Sequence, residues 1–196
     1  AQTLNTALTT FPTTAAPFST FPNTGLGNQL RNVARMIAAR QALGARRQVF
    51  HVSIGGFDQH SGLINGHGGR MTELANAMAA FYNATVTLGI ADSVTAFTAS
   101  DFGRTLDSNG EGSDHGWGSH HFVVGGAVKG GELYGTWPDT VLRGPNDVGR
   151  GNLLPTTAVN QYAATLATWF GITPAQMADV LPNAANFPQP NLGFMA

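Results

Sequence analysis

The sequence predicts an α/β fold, and three stretches read in order predict it. VFHVSI, residues 49–54, is a short apolar run closed by Gly55-Gly56 and reads as a buried strand. Met71, Leu74, Ala75, Met78, Phe81 and Thr85 recur at helical spacing within a segment running from Gly69 to Leu88, with Gly89 as its stop. A second apolar run, Val94–Ala99 in SVTAFTAS, reads as another buried strand. Strand, helix and strand at this spacing make a βαβ unit, whose two strands are expected to lie parallel and adjacent.

The remaining elements follow along the chain. Residues 1–23 are rich in Thr, Pro, Ala and Phe and carry no charge, which predicts an extended arm lying on the domain or on a partner. Leu30, Val33, Ala34 and Ile37 then mark a helix, with Gly44 as its stop. Residues 103–119 are Gly-, Ser- and Asp-rich and read as loop, 120–128 as a strand, with GGELYG a candidate to pair after it. Residues 136–156 read as a long irregular loop containing Pro138, Pro145 and Pro155. Val159, Tyr162, Ala163, Leu166, Trp169 and Phe170 form a further helical stripe ended by Gly171. Thr173-Pro174 supplies an N-cap and a first-turn proline for a short last helix. The organisation expected is an arm (1–23), one α/β domain (24–182) and a Pro/Asn/Phe-rich tail (183–196).

Composition narrows the function. With 196 residues, 42% of them hydrophobic, the chain suits one domain with a real core. No apolar run approaches the roughly 18 residues of a membrane span. Charged residues are only 11%, against about 25% in typical domains, and the net charge is −1. Lys129 is the only lysine, so no electrostatic footprint for nucleic acid or an anionic membrane is expected. A surface of Thr, Asn, Gln, Ser and Gly is common on exported proteins and on assembly subunits. Without cysteine there is no disulfide, thiolate metal site or cysteine nucleophile.

In open parallel sheets, ligands sit beyond the carboxyl ends of the strands, and polar motifs follow both predicted strands. The first leads into GGFDQHSG with Asp58 and His60, the second into SDFGRT with Ser100, Asp101 and Arg104. The loop beyond holds Asp114, His115, His120 and His121. His67 brings the histidines of this zone to five of the six. Carboxylates with imidazoles suit Zn²⁺, Mn²⁺ or Fe, and carboxylates alone suit Mg²⁺ or Ca²⁺. Such an ion acts as a Lewis acid and activates water. Each motif also has a purely structural reading. Asp58 and His60 suit a strand-end turn, and Asp101 suits a turn cap paired with Arg104. Mid-strand His51 suits a satisfied core histidine. His120 and His121 adjoin a strand and should point to opposite faces, so at most one of them reaches a site.

GLGNQLRNVARMI, HVSIGGFDQHSG, TASDFGRT, GEGSDHGWGSHHFVVGGAVKGGELYG, LLPTTAVNQYAATLATWFG and FPQPNLGF resemble, in order, domain-of-unknown-function family 1501, a family of exported bacterial proteins. That family resembles the alkaline phosphatase and sulfatase superfamily. The resemblance implies a three-layer α/β fold, its mostly parallel sheet flanked by helices, with a two-metal site (Zn, Mn, Mg or Ca) at the strand ends. Asp58 and His60 look like the Asp/His pair of one metal site, completed by His115 with Asp114 beside it. Asp101 looks like the aspartate of the other. Phosphatases usually place a histidine directly after that aspartate, where this chain has Phe102. The superfamily's nucleophile comes from an N-terminal half, so this chain resembles a C-terminal portion with that half as its partner. Export implies a periplasmic or extracellular location.

Two functions stand against each other at this point. One is a metal-dependent hydrolase of anionic phosphate or sulfate esters, with Arg104 clamping an anionic oxygen. The other is a non-enzymatic secreted scaffold or surface-assembly subunit, a homo-oligomer built on a degenerate phosphatase-like fold, which the low charge, the N-terminal arm and Phe102 favour.

Overall fold

A computed structural model describes residues 2–196. The fold is α/β, with helices and small antiparallel sheets, and it divides into two compact units. One comprises residues 1–96 and 124–126, the other residues 97–123 and 127–196, where the sequence reading has a single domain over 24–182. No helix is long and apolar enough to cross a membrane among the described residues.

The first unit is built on three helices. Helix α1 (Gln2–Thr9) occupies the start of the predicted arm, which is therefore not extended there. The prolines of that region stand at 12, 17 and 22, so residues 2–9 are free to coil. Arg35 secures the end of this helix, its Nη2 donating to the Leu8 carbonyl at 3.0 Å and its Nε to that of Phe11 at 2.6 Å. Phe18 and Phe21, also from the predicted arm, are buried in the core. Helix α2 (Gly25–Ala38) starts where the Thr24 hydroxyl accepts the Gly27 N–H at 3.1 Å, an N-cap. It stops at Ala38, well before Gly44, which serves a later turn. Its stripe of Leu26, Leu30, Val33, Ala34 and Ile37 packs in one cluster with Ala77, Phe81 and Ala84 of helix α3 (Leu63–Thr87). Burying a ring such as Phe81 contributes about 1.5–3 kcal/mol.

Residues 49–54 correct the first prediction. They form no ladder with another strand, so the parallel βαβ pairing is not made among the described residues. Phe50, Val52 and Ile54 pack against the core, while Val49, His51 and Ser53 are exposed. His51 is thus a solvent-facing residue and not a core histidine. The physical reason lies on α2, whose Gln29 side chain brackets the Ser53 backbone. Its Oε1 accepts the Ser53 N–H at 3.0 Å and its Nε2 donates to the Ser53 carbonyl at 2.8 Å. Side-chain amide thus replaces strand at that position.

Strand β1 (Thr95–Phe97) falls where the second apolar run predicts it, and it pairs with β4 (Val123–Gly125). The pairing is antiparallel. The Gly126 N–H reaches the Ala91 carbonyl and the Thr98 N–H reaches the Phe122 carbonyl, in opposite chain order.

In the second unit, residues predicted as loop form a hairpin of β2 (Gly103–Ser108) and β3 (Ser113–Gly116). Gly103 stands opposite Gly116 and Arg104 opposite His115. Asn109-Gly110 makes the tip, as this dipeptide does in tight hairpins. The Asn109 Oδ1 accepts the N–H groups of Glu111 and Gly112 at 3.2 and 2.8 Å. Residues 130–135 form no strand. Helix α4 (Val159–Phe170) ends at Gly171, whose φ of 101° suits a glycine cap. Helix α5 (Pro174–Val180) opens with proline, and the Gln176 side chain accepts the Thr173 N–H at 3.1 Å.

The C-terminal residues are part of this unit. Val128 bridges to Met195, and the Lys129 N–H donates to the Phe194 carbonyl at 2.9 Å. Phe194 is buried, 5.8 Å from the Tyr162 ring on α4. The buried Thr165 hydroxyl donates to Gln161 and accepts the Leu192 N–H, both at 2.8 Å.

Candidate metal-ligand residues

Asp58 and His60 belong to the first unit and sit on the loop between residues 49–54 and α3. His60 Nε2 stands 3.1 Å from Asp58 Oδ1, with both side chains about half exposed. The loop that carries them is fixed from beneath. Gln59, between the two, turns the other way, and its Oε1 meets His67 Nδ1 on α3 at 3.0 Å. The Gln59 amide lies over Gly66, where an added Cβ would come within 2.7 Å of its Nε2. Phe57 meets the His67 ring edge-on at 6.0 Å. At the loop's start, Gly56 has φ 89°, and a Cβ there would come within 2.6 Å of Arg70 Nε. Gly56 is favoured by its left-handed backbone, whereas a side chain at Gly66 would displace the Gln59 amide.

These contacts explain why α3 begins at Leu63, earlier than the predicted Gly69. Gly66, Gly68 and Gly69 weaken the first turns by propensity, and tertiary contact with Gln59 overrides that. His67 is therefore a helical residue holding the loop, a role that sequence spacing did not disclose.

The Asp58–His60 pair passes a simple test as a metal half-site. Ligand atoms at about 2.0–2.2 Å from Zn²⁺, at octahedral or tetrahedral angles, stand roughly 3.0–3.5 Å apart. The observed 3.1 Å lies in that window, and one carboxylate oxygen with one imidazole nitrogen is a borderline donor set suited to Zn²⁺ or Mn²⁺. The same separation suits a charge-assisted hydrogen bond from His60 to Asp58.

Asp101, Arg104, Asp114 and His115 belong to the second unit. Asp101 is exposed and makes no hydrogen bond or ion pair among the described residues, so it does not pair with Arg104. Arg104 instead turns along the hairpin. Its Nε donates to Ser113 Oγ at 3.1 Å and its Nη2 to the Ser113 carbonyl. Both Asp114 oxygens are engaged as well, Oδ1 by the Asn109 amide at 3.1 Å and Oδ2 by Arg150 at 2.8 Å. These contacts tie Asp114 to the hairpin tip and to Arg150.

His115 stacks on Phe102, with ring centroids 3.9 Å apart and planes 7° from parallel. The hairpin dictates this contact. Phe102 and Arg104 are two residues apart and so face one side, and His115 is opposite Arg104, which makes Phe102 its diagonal neighbour. The Arg104 guanidinium carbon also lies 5.8 Å from the Phe102 ring centre, a cation–π distance.

The two adjacent histidines further along do divide. His120 is exposed, 5.7 Å from the Trp137 ring. His121 is partly buried, stacked on Tyr162 at 5.8 Å, with Nδ1 at 3.2 Å from the Thr98 hydroxyl. Burial, and next the charge of His120, lower its pKa below the usual 6.5. Burial raises the pKa of the Tyr162 phenol, which donates to the Thr98 carbonyl at 3.1 Å.

Compared with known proteins, the chain matches the family described as "Protein of unknown function (DUF1501)" over residues 4–178. No curated protein matches it. No solved structure matches it.

Proposed function

Because the chain belongs to the family described as protein of unknown function (DUF1501), whose description assigns no chemistry, we propose from its own side chains that it is the C-terminal part of an exported, metal-dependent hydrolase of phosphate or sulfate esters. The observation that carries this reading is the exposed Asp58–His60 pair at ligand spacing on a loop held by Gln59. Asp58 and His60 hold a divalent ion, while Asp101 and His115, in the second unit, are candidate donors considered by themselves. The three-layer, alkaline-phosphatase-like arrangement belongs to the same proposal. So do an N-terminal half that supplies the nucleophile and a periplasmic or extracellular location.

When bound, the metal supplies Lewis-acid activation of the ester oxygens. The chain's own residues hold the donors in place. Gln59 and His67 keep the loop on α3, so that Asp58 and His60 converge without rearrangement. The hydrogen bonds from Arg104 to the Ser113 hydroxyl and carbonyl fit a brace better than an anion clamp.

Metal analysis of natively purified protein tests the reading. The expected result is retained Zn or Mn, with Asp58→Asn and His60→Ala each lowering affinity at least tenfold, the scale of a lost ligand or its support. Unchanged metal retention in the double variant would sink it. The scaffold reading has its own support: Arg104 bonds to Ser113, and Asp114 to Asn109 and Arg150, so both serve local structure.

A further inference from the structure

We propose that residues 49–54 pair edge to edge with the same residues of a second copy of this chain, antiparallel and centred on Val52. Burial along this run alternates with the period of an extended chain: Phe50, Val52 and Ile54 pack on the core, while Val49, His51 and Ser53 are exposed. In such a chain the N–H and C=O of one residue point to one edge, and those of the next residue to the other. The Gln29 amide takes both backbone groups of Ser53. Phe50, Val52 and Ile54 therefore present theirs on the opposite edge, where they make no hydrogen bond among the described residues. Proteins guard an open edge with charge, proline or a bulge. Residues 48–57 contain no Asp, Glu, Lys, Arg or Pro. A row of backbone donors and acceptors left in this way recognises another extended backbone.

The charges at the two ends of the run select the occupant. Arg46 and Arg47 precede it and Asp58 follows it, all three exposed. Two copies paired in parallel would set arginines against arginines. Paired antiparallel with Val52 opposite its own copy, they set Arg46 opposite Asp58. The attraction needs only the sign of charge at that end and no bond to Asp58, which His60 meets at 3.1 Å. In the same register Phe50 lies opposite Ile54 and His51 opposite Ser53. Every residue of the unpaired edge thus meets another such residue. An edge that pairs with itself about a two-fold axis closes as a dimer and leaves no open chain.

Analytical ultracentrifugation of the whole chain tests this, in chelator so that Asp58 keeps its charge. A dimer is expected. Val52→Pro removes the central N–H of each copy at a position where an edge strand tolerates proline. It should raise the dissociation constant about tenfold or more, because symmetry doubles the lost bond. Arg46→Glu should weaken the dimer as well. The chain has no cysteine, so single cysteines report the register. His51→Cys mixed with Ser53→Cys should form a disulfide-linked dimer on oxidation, since such opposing residues have Cα atoms about 4.5 Å apart, within disulfide reach. Neither variant alone should link. A monomer at every concentration, whether its edge stays open or takes another peptide, would overturn the proposal. So would a dimer that Val52→Pro leaves intact, or cysteines that link only to their own kind. If Val52→Pro fails to fold, the cysteine pairing decides, because both of those positions are exposed.

Discussion

Gln29 and Ser53 form a reciprocal pair: the Gln29 amide accepts from the Ser53 N–H at 3.0 Å and donates to the Ser53 carbonyl at 2.8 Å. In a strand the N–H and C=O of one residue point to the same edge, so this one side chain takes the place of one residue of a neighbouring strand. The substitution matters because it closes the Ser53 edge of residues 49–54, just upstream of the Asp58–His60 loop.

Gln29→Leu removes both bonds while keeping a good helix former. The expected loss is about 1–2 kcal/mol, from two bonds worth about 0.5–1.5 kcal/mol each, lowered by their exposure. Urea denaturation measures it. Faster hydrogen exchange at the Ser53 amide, with the α3 amides unchanged, would locate the effect, and an unaltered Ser53 exchange rate would contradict the role.

Phe18→Ala tests whether the first residues are core or arm. Phe18 is 2% exposed and sits in one cluster with α2 and α3. A buried phenylalanine truncated to alanine costs about 3–5 kcal/mol, whereas on a loosely attached arm the change would be within about 0.5 kcal/mol. The denaturation midpoint separates the two outcomes.

His121 gives stability a pH dependence whose sign is fixed. Its pKa in the folded chain lies below the usual 6.5, through burial and then His120, so the unfolded chain takes up the proton first as the pH falls. The neutral imidazole's contribution is complete above 6.5 and is lost as pH falls from there through the folded value. Thermal melts across this range should show a steeper acid-side decline in the wild type than in His121→Gln. Parallel profiles would rule out His121 as the cause.

Asp147 titrates lower still. The Arg143 N–H at 2.7 Å is the largest cause, opposed by desolvation and joined by the N–H groups of Gly149 at 2.7 Å and Gly151 at 3.0 Å. A depressed carboxyl contributes stability above its usual 3.8, lost as pH falls through the lower folded value. The amide signals of Gly149 and Gly151 should therefore move only below pH 3.8. In Asp147→Ala they should lose that transition and exchange faster with solvent. A transition retained in the variant would show that another group drives it.

Local chemistry disclosed part of this molecule. The stripes of α2 and α4, the Gly171 stop and the Thr173-Pro174 start depend on neighbours a few residues away, so the sequence is enough to place them. The Asp58–His60 pair was legible for the same reason, since two residues on one tight loop have little choice but to meet. The signal for the β2–β3 hairpin was present in Asn109-Gly110, yet the surrounding Gly, Ser and Asp masked it as loop.

The sequence by itself determined where apolar periodicity and turn chemistry allow helices, the short strand β1 and the donor-bearing loops. Only the tertiary structure decided what pairs with what. That residues 49–54 meet the amide of Gln29, that Asp114 meets Arg150 and that His115 lies on Phe102 are long-range choices. Each is settled by which groups folding brings within about 4 Å, and a pattern of neighbouring residues carries no record of that.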